Sequence, residues 1–285
     1  MYKLRLGISL QMFTKFEASI DKDFVKDLDE IKRLGFDSVD VNYCSIYNRD
    51  VILQSHALIR EGLGLVKERG ISINAIHLPF GGQRDYSKLD VEFRKRLIDD
   101  TAEMLRLSDE FNPYCYVLHG GTEPVYAHER ADRITALHDS LRRLSPLTSN
   151  LLCVENLPRL CLLNTIEEHR LAMDGVKECK NVKLCADVNH YLKEPAERAI
   201  EILGDRIKTL HISDHDYIDE RHVLPEDGKI DWMALLSALE KTGYQGVFNY
   251  EITRSLYEYV FYTLQDVKDN YERLFDKYNA WKEKE

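Results

Sequence analysis

The chain has 285 residues, 44% of them hydrophobic and 10% aromatic with only 7 prolines. That is enough core-forming material to exclude a disordered chain and enough length for one large α/β barrel or two smaller domains. A net charge of -10, from 39 Lys and Arg against 49 Asp and Glu, with no long basic tail at either end, disfavours nucleic acid as a partner. The apolar run in MYKLRLGISLQMF is too short for a secretory signal and no later run approaches transmembrane length, so the expected location is cytoplasmic with no membrane partner.

In chain order, short apolar runs of strand length stand at 4–10 (LRLGISL), 38–43 (SVDVNY), 71–78 (ISINAIHL), 114–119 (YCYVLH), 151–155 (LLCVE), 182–187 (VKLCAD), 207–213 (IKTLHIS) and 246–252 (GVFNYEI). A longer stretch with helical spacing follows each, such as Phe24, Leu28, Ile31 and Leu34 after the first and Leu97, Thr101, Met104 and Leu105 after the third. Runs rich in β-branched residues and nearly free of alternation imply a parallel sheet covered on its outer face. Turn residues separate the units, as at Arg69-Gly70 and Thr242-Gly243.

The economical reading is an α/β fold of the (β/α)8 TIM-barrel type, one domain over 1–285. A doubly wound open sheet would need a glycine-rich phosphate loop after its first strand, and GISLQMFTKF has no G-x-G-x-x-G. The last segment, from about 261, reads as a long charged helix closing the outer ring. Its lead-in, SLYEYVFYTL (255–264), reads as helix packing or an oligomer contact. Six cysteines, Cys44, Cys115, Cys153, Cys161, Cys179 and Cys185, form no C-x-x-C pair and are expected as reduced core thiols.

A barrel of this kind builds its site at the C-terminal strand ends. The third to eighth runs end at or near His77, His119, Glu155, Asp187, His211 and Glu251. Any one of these has an ordinary explanation as a hydrogen-bonded histidine or an ion-paired glutamate. Together they point to a divalent ion of the Mn, Co, Zn or Mg kind, whose charge offsets repulsion among acids in a partly dry cavity. The segment KTLHISDHDYIDERHVLPEDGKID (208–231) crowds further ligand types behind the seventh run. Asp40 in the second run either approaches this cavity or pairs with a neighbouring barrel residue.

The strand-end motifs AIHLPFGG, VLHGG, LCVENLP, LCADVNH, LHISDHD with RHVLPEDGKIDW, and FNYEIT resemble those of the xylose-isomerase-like barrels, which include sugar epimerases and isomerases, inosose dehydratases and apurinic endonucleases. The resemblance implies that Glu155, Asp187, His211 and Glu251 hold one divalent metal ion (Mn, Mg, Co or Zn), with Glu155 and Glu251 as the acid and base. By the same likeness His190 positions a substrate oxygen, and His77, His119, His222 and Arg221 contact substrate hydroxyls. Two positions depart from the pattern. Glu220 stands where Asp is usual, and Glu226 where the first Gly of the loop is usual.

The implied activity is that of a metal-dependent isomerase or epimerase of a sugar, sugar phosphate or cyclitol, moving a proton through a metal-stabilised enediolate. Its partner would be a small polyol or keto-sugar. Barrels of this kind often pair, which leaves a homo-oligomer open. An inosose-type dehydratase would use nearly the same residues. A three-zinc phosphoesterase of the apurinic-endonuclease kind would use His77, His119, Glu155, Asp187, His190, His211, Glu220, His222 and Glu251; the acidic surface and the segment CSIYNRD after the second run argue against it. A polyol sensor without activity is a fourth reading, opposed by the intact pair of glutamates.

Overall fold

The computed structural model describes residues 1–10, 22–43, 52–252 and 262–284. The expectations for CSIYNRD, including Cys44, and for the part of SLYEYVFYTL up to residue 261 lie outside the described residues.

All eight apolar runs are parallel strands of one sheet. They are β1 (Arg5–Ser9), β2 (Ser38–Asn42), β3 (Ser72–His77), β4 (Cys115–His119), β5 (Leu151–Glu155), β6 (Val182–Asp187) and β7 (Ile207–His211), then, after a small antiparallel hairpin of β8 (Asp214–His215) and β9 (Glu220–Val223), β10 (Val247–Tyr250). The sheet order is β10-β1-β2-β3-β4-β5-β6-β7. It closes through Ile212, whose N–H donates to the Asn249 carbonyl at 2.8 Å and whose carbonyl accepts from the Glu251 N–H at 2.9 Å. The architecture is therefore a (β/α)8 barrel.

The outer ring is α1 (Lys22–Arg33), α2 (Ile52–Glu68), α3 (Val91–Ser108), α4 (Arg130–Leu144), α5 (Ile166–Asp174), α6 (Ala196–Leu203), α7 (Trp232–Lys241) and α8 (Leu264–Lys282). The helical spacings hold: Phe24, Leu28, Ile31 and Leu34, like Leu97, Met104 and Leu105, are buried in the main core, and Thr101 is buried on the same helix as the latter three. The closing helix starts at a Thr263–Asp266 capping box, in which each side chain accepts from the other's backbone N–H.

Strand alternation sorts the side chains into two compartments. On β5, Leu152 and Val154 join the core beneath the helices, whereas Cys153 joins a separate cluster with Ala75, Cys115, Val117 and Cys185. Small apolar residues and thiols thus fill one compartment while Leu, Ile and Val fill the other, so both read as hydrophobic in the sequence. Of the six cysteines, Cys115, Cys153, Cys161 and Cys185 are buried free thiols and Cys179 is partly buried.

His169 ties the outer ring to the strand that ends in Glu155. Fully buried on α5, it donates from Nε2 to the Val154 carbonyl at 2.9 Å and accepts at Nδ1 from the Tyr191 hydroxyl at 2.9 Å. Burial lowers its pKa to about 4. A histidine depressed in the folded state adds stability that is full above the ordinary imidazole value and is lost as the pH falls toward the folded one. Urea denaturation of the wild type should therefore lose about 2–3 kcal/mol more between pH 7 and pH 4.5 than His169→Gln does over the same interval.

Candidate metal centre

Register places the strand-end residues side by side: His119 is the β4 partner of Glu155 on β5, and Asp187 on β6 is the partner of His211 on β7. Residues at matching positions of neighbouring strands face the same way, so these four meet at one rim. Glu251 follows β10 immediately and reaches the same point, its Oε2 lying 2.8 Å from His211 Nδ1.

Glu155 is the hub. Its Oε1 lies 3.0 Å from His211 Nδ1, and its Oε2 lies 3.0 Å from His77 Nε2 and 3.2 Å from His119 Nε2. Ligand atoms of Glu155, Asp187, His211 and Glu251, all four buried, lie within 4.8 Å of one another. Two further groupings meet the same distance limit, His77 with Glu155 and His211, and His190 with Glu220 and His222.

The electrostatics are those of acids forced together. Burial, Glu155 and Glu251 raise the Asp187 carboxyl, against the opposing influence of His190. Burial would also raise Glu155 and Glu251, but histidine charges and hydrogen bonds acting together, from His211 and His119 on Glu155 and from His211 and His222 on Glu251, hold both below the ordinary carboxylate range. Burial in turn pulls the His211 imidazole down, and Cys185, Glu251 and Glu155 together reverse this and raise it. Asp187 Oδ1 accepts from the Asn189 N–H at 2.7 Å, whereas the buried Oδ2 has no hydrogen-bond donor, although His190 Nδ1 stands 3.3 Å away. His190 Nδ1 already donates to the Asn156 carbonyl at 2.9 Å. An orphaned, buried carboxylate oxygen is costly unless a positive charge meets it.

The model of the xylose isomerase-like TIM barrels matches residues 28–276. The chain belongs to that family. Among solved structures, it is similar to a D-tagatose 3-epimerase-like protein at 17% identity, covering 97% of this chain and 99% of that one with a TM-score of 0.75. It is also similar to the 3-keto-D-glucoside 4-epimerase of E. coli, at 19% identity over 96% of this chain and 100% of that one with a TM-score of 0.73. These likenesses show the fold. A stretch of 78 residues is 36% identical to the uncharacterized protein y4fM of Sinorhizobium fredii, over 27% of this chain and only 25% of that relative. Among the described residues no helix is long and apolar enough to cross a membrane.

Within this family frame, the crowded 208–231 segment divides by task. Only His211, Glu220 and His222 join the groupings above. Asp214 instead organises the loop, its carboxylate accepting from the N–H groups of Glu226, Lys229 and Ile230 and from Trp232 Nε1. Asp216 accepts from the Ile218 and Asp219 N–H groups and pairs with Arg221 at 2.8 Å. The Arg221 guanidinium, expected at a substrate hydroxyl, pairs with Asp216, its Nε donating to Oδ2 at 2.8 Å. Glu226, where the family pattern has the first Gly of the loop, adopts a left-handed backbone with φ 77° and pairs with Arg273 and Lys277. After the fourth strand, a Cβ on Gly120 would lie 2.6 Å from Leu163 Cδ1 and one on Gly121 2.4 Å from Ser87 Oγ, so close packing favours glycine at both.

Two residues escaped the sequence reading. Asn156, buried directly after Glu155, accepts from the Asp187 N–H at 2.8 Å and donates to the Asp187 carbonyl at 2.9 Å, while its own carbonyl holds His190. Its place in the ENLP motif was the available signal. Arg159 pairs with Glu123, Asp219 and Glu220, at 2.6 Å for Glu220 Oε1, and nothing local in the sequence announces those partners. Because Asn156→Ala leaves two buried backbone groups of Asp187 unpaired, urea denaturation should show a loss of about 2–4 kcal/mol.

Proposed function

We propose that this chain is a divalent-metal-dependent isomerase or epimerase of a keto-sugar, sugar phosphate or cyclitol. The observation that carries the reading is the buried set of Glu155, Asp187, His211 and Glu251, with ligand atoms within 4.8 Å of one another and the Asp187 Oδ2 without a donor. Three carboxylates and one imidazole suit Mn, Mg, Co or Zn, so the residues present fit the ion that the family resemblance implies. When bound there, such an ion polarises a substrate carbonyl and acidifies the adjoining C–H.

The proton transfers fall to the chain's own carboxylates. Glu155 and Glu251 approach the shared His211 Nδ1 from different strands, at 3.0 and 2.8 Å, so a carbon seated between them can lose a proton to one and regain it from the other. Transfer between two bases gives epimerisation, and transfer by one alone gives aldose-ketose isomerisation. His77 and His119, both against Glu155 Oε2, and His190 and His222, both facing Glu220, line the surroundings with donors for hydroxyl groups. Phe80 stacks on the His119 ring with centroids 4.3 Å apart, which supplies an apolar wall beside those donors. Structural neighbours named as sugar epimerases support the substrate class.

A second reading, the three-metal phosphoesterase, draws support from the two further histidine-bearing groupings. Elemental analysis separates the two: one ion per chain supports the isomerase, and three ions with cleavage of an abasic duplex support the phosphoesterase.

Two outcomes follow for the isomerase. Removing metal with a chelator should lower the stability to urea, and adding Mn2+ at a hundredfold excess over the dissociation constant should restore about 2.7 kcal/mol. In a screen of keto-sugars and inososes in D2O, the substrate that takes up deuterium at carbon should do so at least about a hundredfold more slowly in both Glu155→Gln and Glu251→Gln. Uptake at the native rate in both variants refutes the assignment of the acid and base.

A further inference from the structure

Asp40, on β2, sits beneath the candidate metal centre and is 1% exposed. Its Oδ1 accepts from Asn74 Nδ2 at 2.7 Å and from the Ala75 N–H at 3.0 Å, and its Oδ2 accepts from Asn249 Nδ2 at 2.9 Å. These donors come from β3, which pairs with β2, and from β10, two strands away on the other side, so the carboxylate is fixed from two directions. Asn74 Nδ2 is anchored in turn on Thr209 Oγ1 of β7 at 3.0 Å.

The His211 ring presents its two nitrogens to different neighbours. Nδ1 faces Glu155 and Glu251, while Nε2 lies 3.6 Å from Asp40 Oδ2. A histidine that offers Nδ1 as a ligand must carry its proton on Nε2, and a carboxylate placed there selects that tautomer and fixes the ring plane. The Cys185 thiol also interacts with the imidazole, but sulfur is the weaker acceptor. An ionisable side chain held by three neutral donors in a dry barrel is hard to explain as packing alone, since an uncharged residue of the same size would cost less to bury.

The geometry points to Asp40 as a positioning residue that sets the tautomer and orientation of His211 for metal binding through Nδ1. This rests on the metal-site reading above and adds to it a residue outside the ligand set. At 3.6 Å the contact is longer than a direct hydrogen bond.

The test is titration calorimetry of Mn2+ into the metal-free full-length protein. Asp40→Asn, judged folded by circular dichroism, should bind Mn2+ about ten- to hundredfold more weakly than wild type. Thr209→Val, which removes a polar anchor from the same buried network but leaves the carboxylate, should bind with wild-type affinity. Native affinity in Asp40→Asn overturns the proposal, as does an equal loss in Thr209→Val, which would mark a general effect of the network.

If Asp40→Asn does not fold, the wild type decides. In the zinc-loaded protein, long-range proton–nitrogen NMR should show a histidine that coordinates through Nδ1 and keeps its proton on Nε2, and coordination of every bound histidine through Nε2 refutes the role. A wild type that takes up no divalent ion removes the metal-site reading itself and this proposal with it, an outcome distinct from native affinity in the variant.

Discussion

Three carboxylates confined in a dry space form the constraint around which the rest of the site is arranged. Glu155, Asp187 and Glu251 are each 6% exposed or less, and ionised acids at that depth repel one another through a medium that screens poorly. The surrounding protein answers with donors: three histidines on Glu155, one of them shared with Glu251, and a backbone N–H on Asp187. One oxygen of Asp187 is left over. Stability alone would favour apolar residues in these places, so their presence is an argument for use.

The barrel delivers this arrangement through period and register alone. Alternation turns Leu152 and Val154 toward the helices and leaves Cys153 and Glu155 for the other face, and the same rule on β6 pairs Cys185 with Asp187. Small residues below the site leave room for the buried polar lattice of Asp40, Asn74, Thr209 and Asn249. The lattice reaches the rim from below, and Asn156 braces it from beside the strand end. The hairpin β8–β9 then brings Glu220 and His222 over the top, held down by Asp214 and by the His222 Nδ1 contact with the Glu251 carbonyl at 3.0 Å.

The sequence made legible whatever depends on a residue's own strand. Eight apolar runs gave eight strands, and residues at or near the ends of the third to eighth named the side chains at the rim, because a parallel barrel assigns strand ends to one mouth whatever the partners are. Features that depend on a distant partner stayed hidden. Arg159 looks like any loop arginine until Glu123, Asp219 and Glu220 arrive from two other loops. The acids of 208–231 looked alike as ligand types, yet tertiary contacts send Asp214 to backbone N–H groups and Asp216 to Arg221. Asp40 was readable only as two alternatives, and the structure realises both, since it pairs with barrel amides and faces His211.

Charge also bears on how many ions the site needs. The grouping of Glu155, Asp187, His211 and Glu251 carries three acids against one imidazole, and its surplus is what leaves Asp187 Oδ2 unmet. The grouping of His190, Glu220 and His222 carries one acid, and both of its oxygens are engaged: Oε1 by Arg159 at 2.6 Å and Oε2 by His190 at 2.9 Å. An ion entering there would have to displace a partly exposed pairing that already balances, whereas an ion among the three buried acids would meet the Asp187 oxygen that no donor reaches. The asymmetry makes the three-acid grouping the stronger candidate for an ion, while His190 and His222 stay tied to Glu220 and to the Asn156 and Glu251 carbonyls.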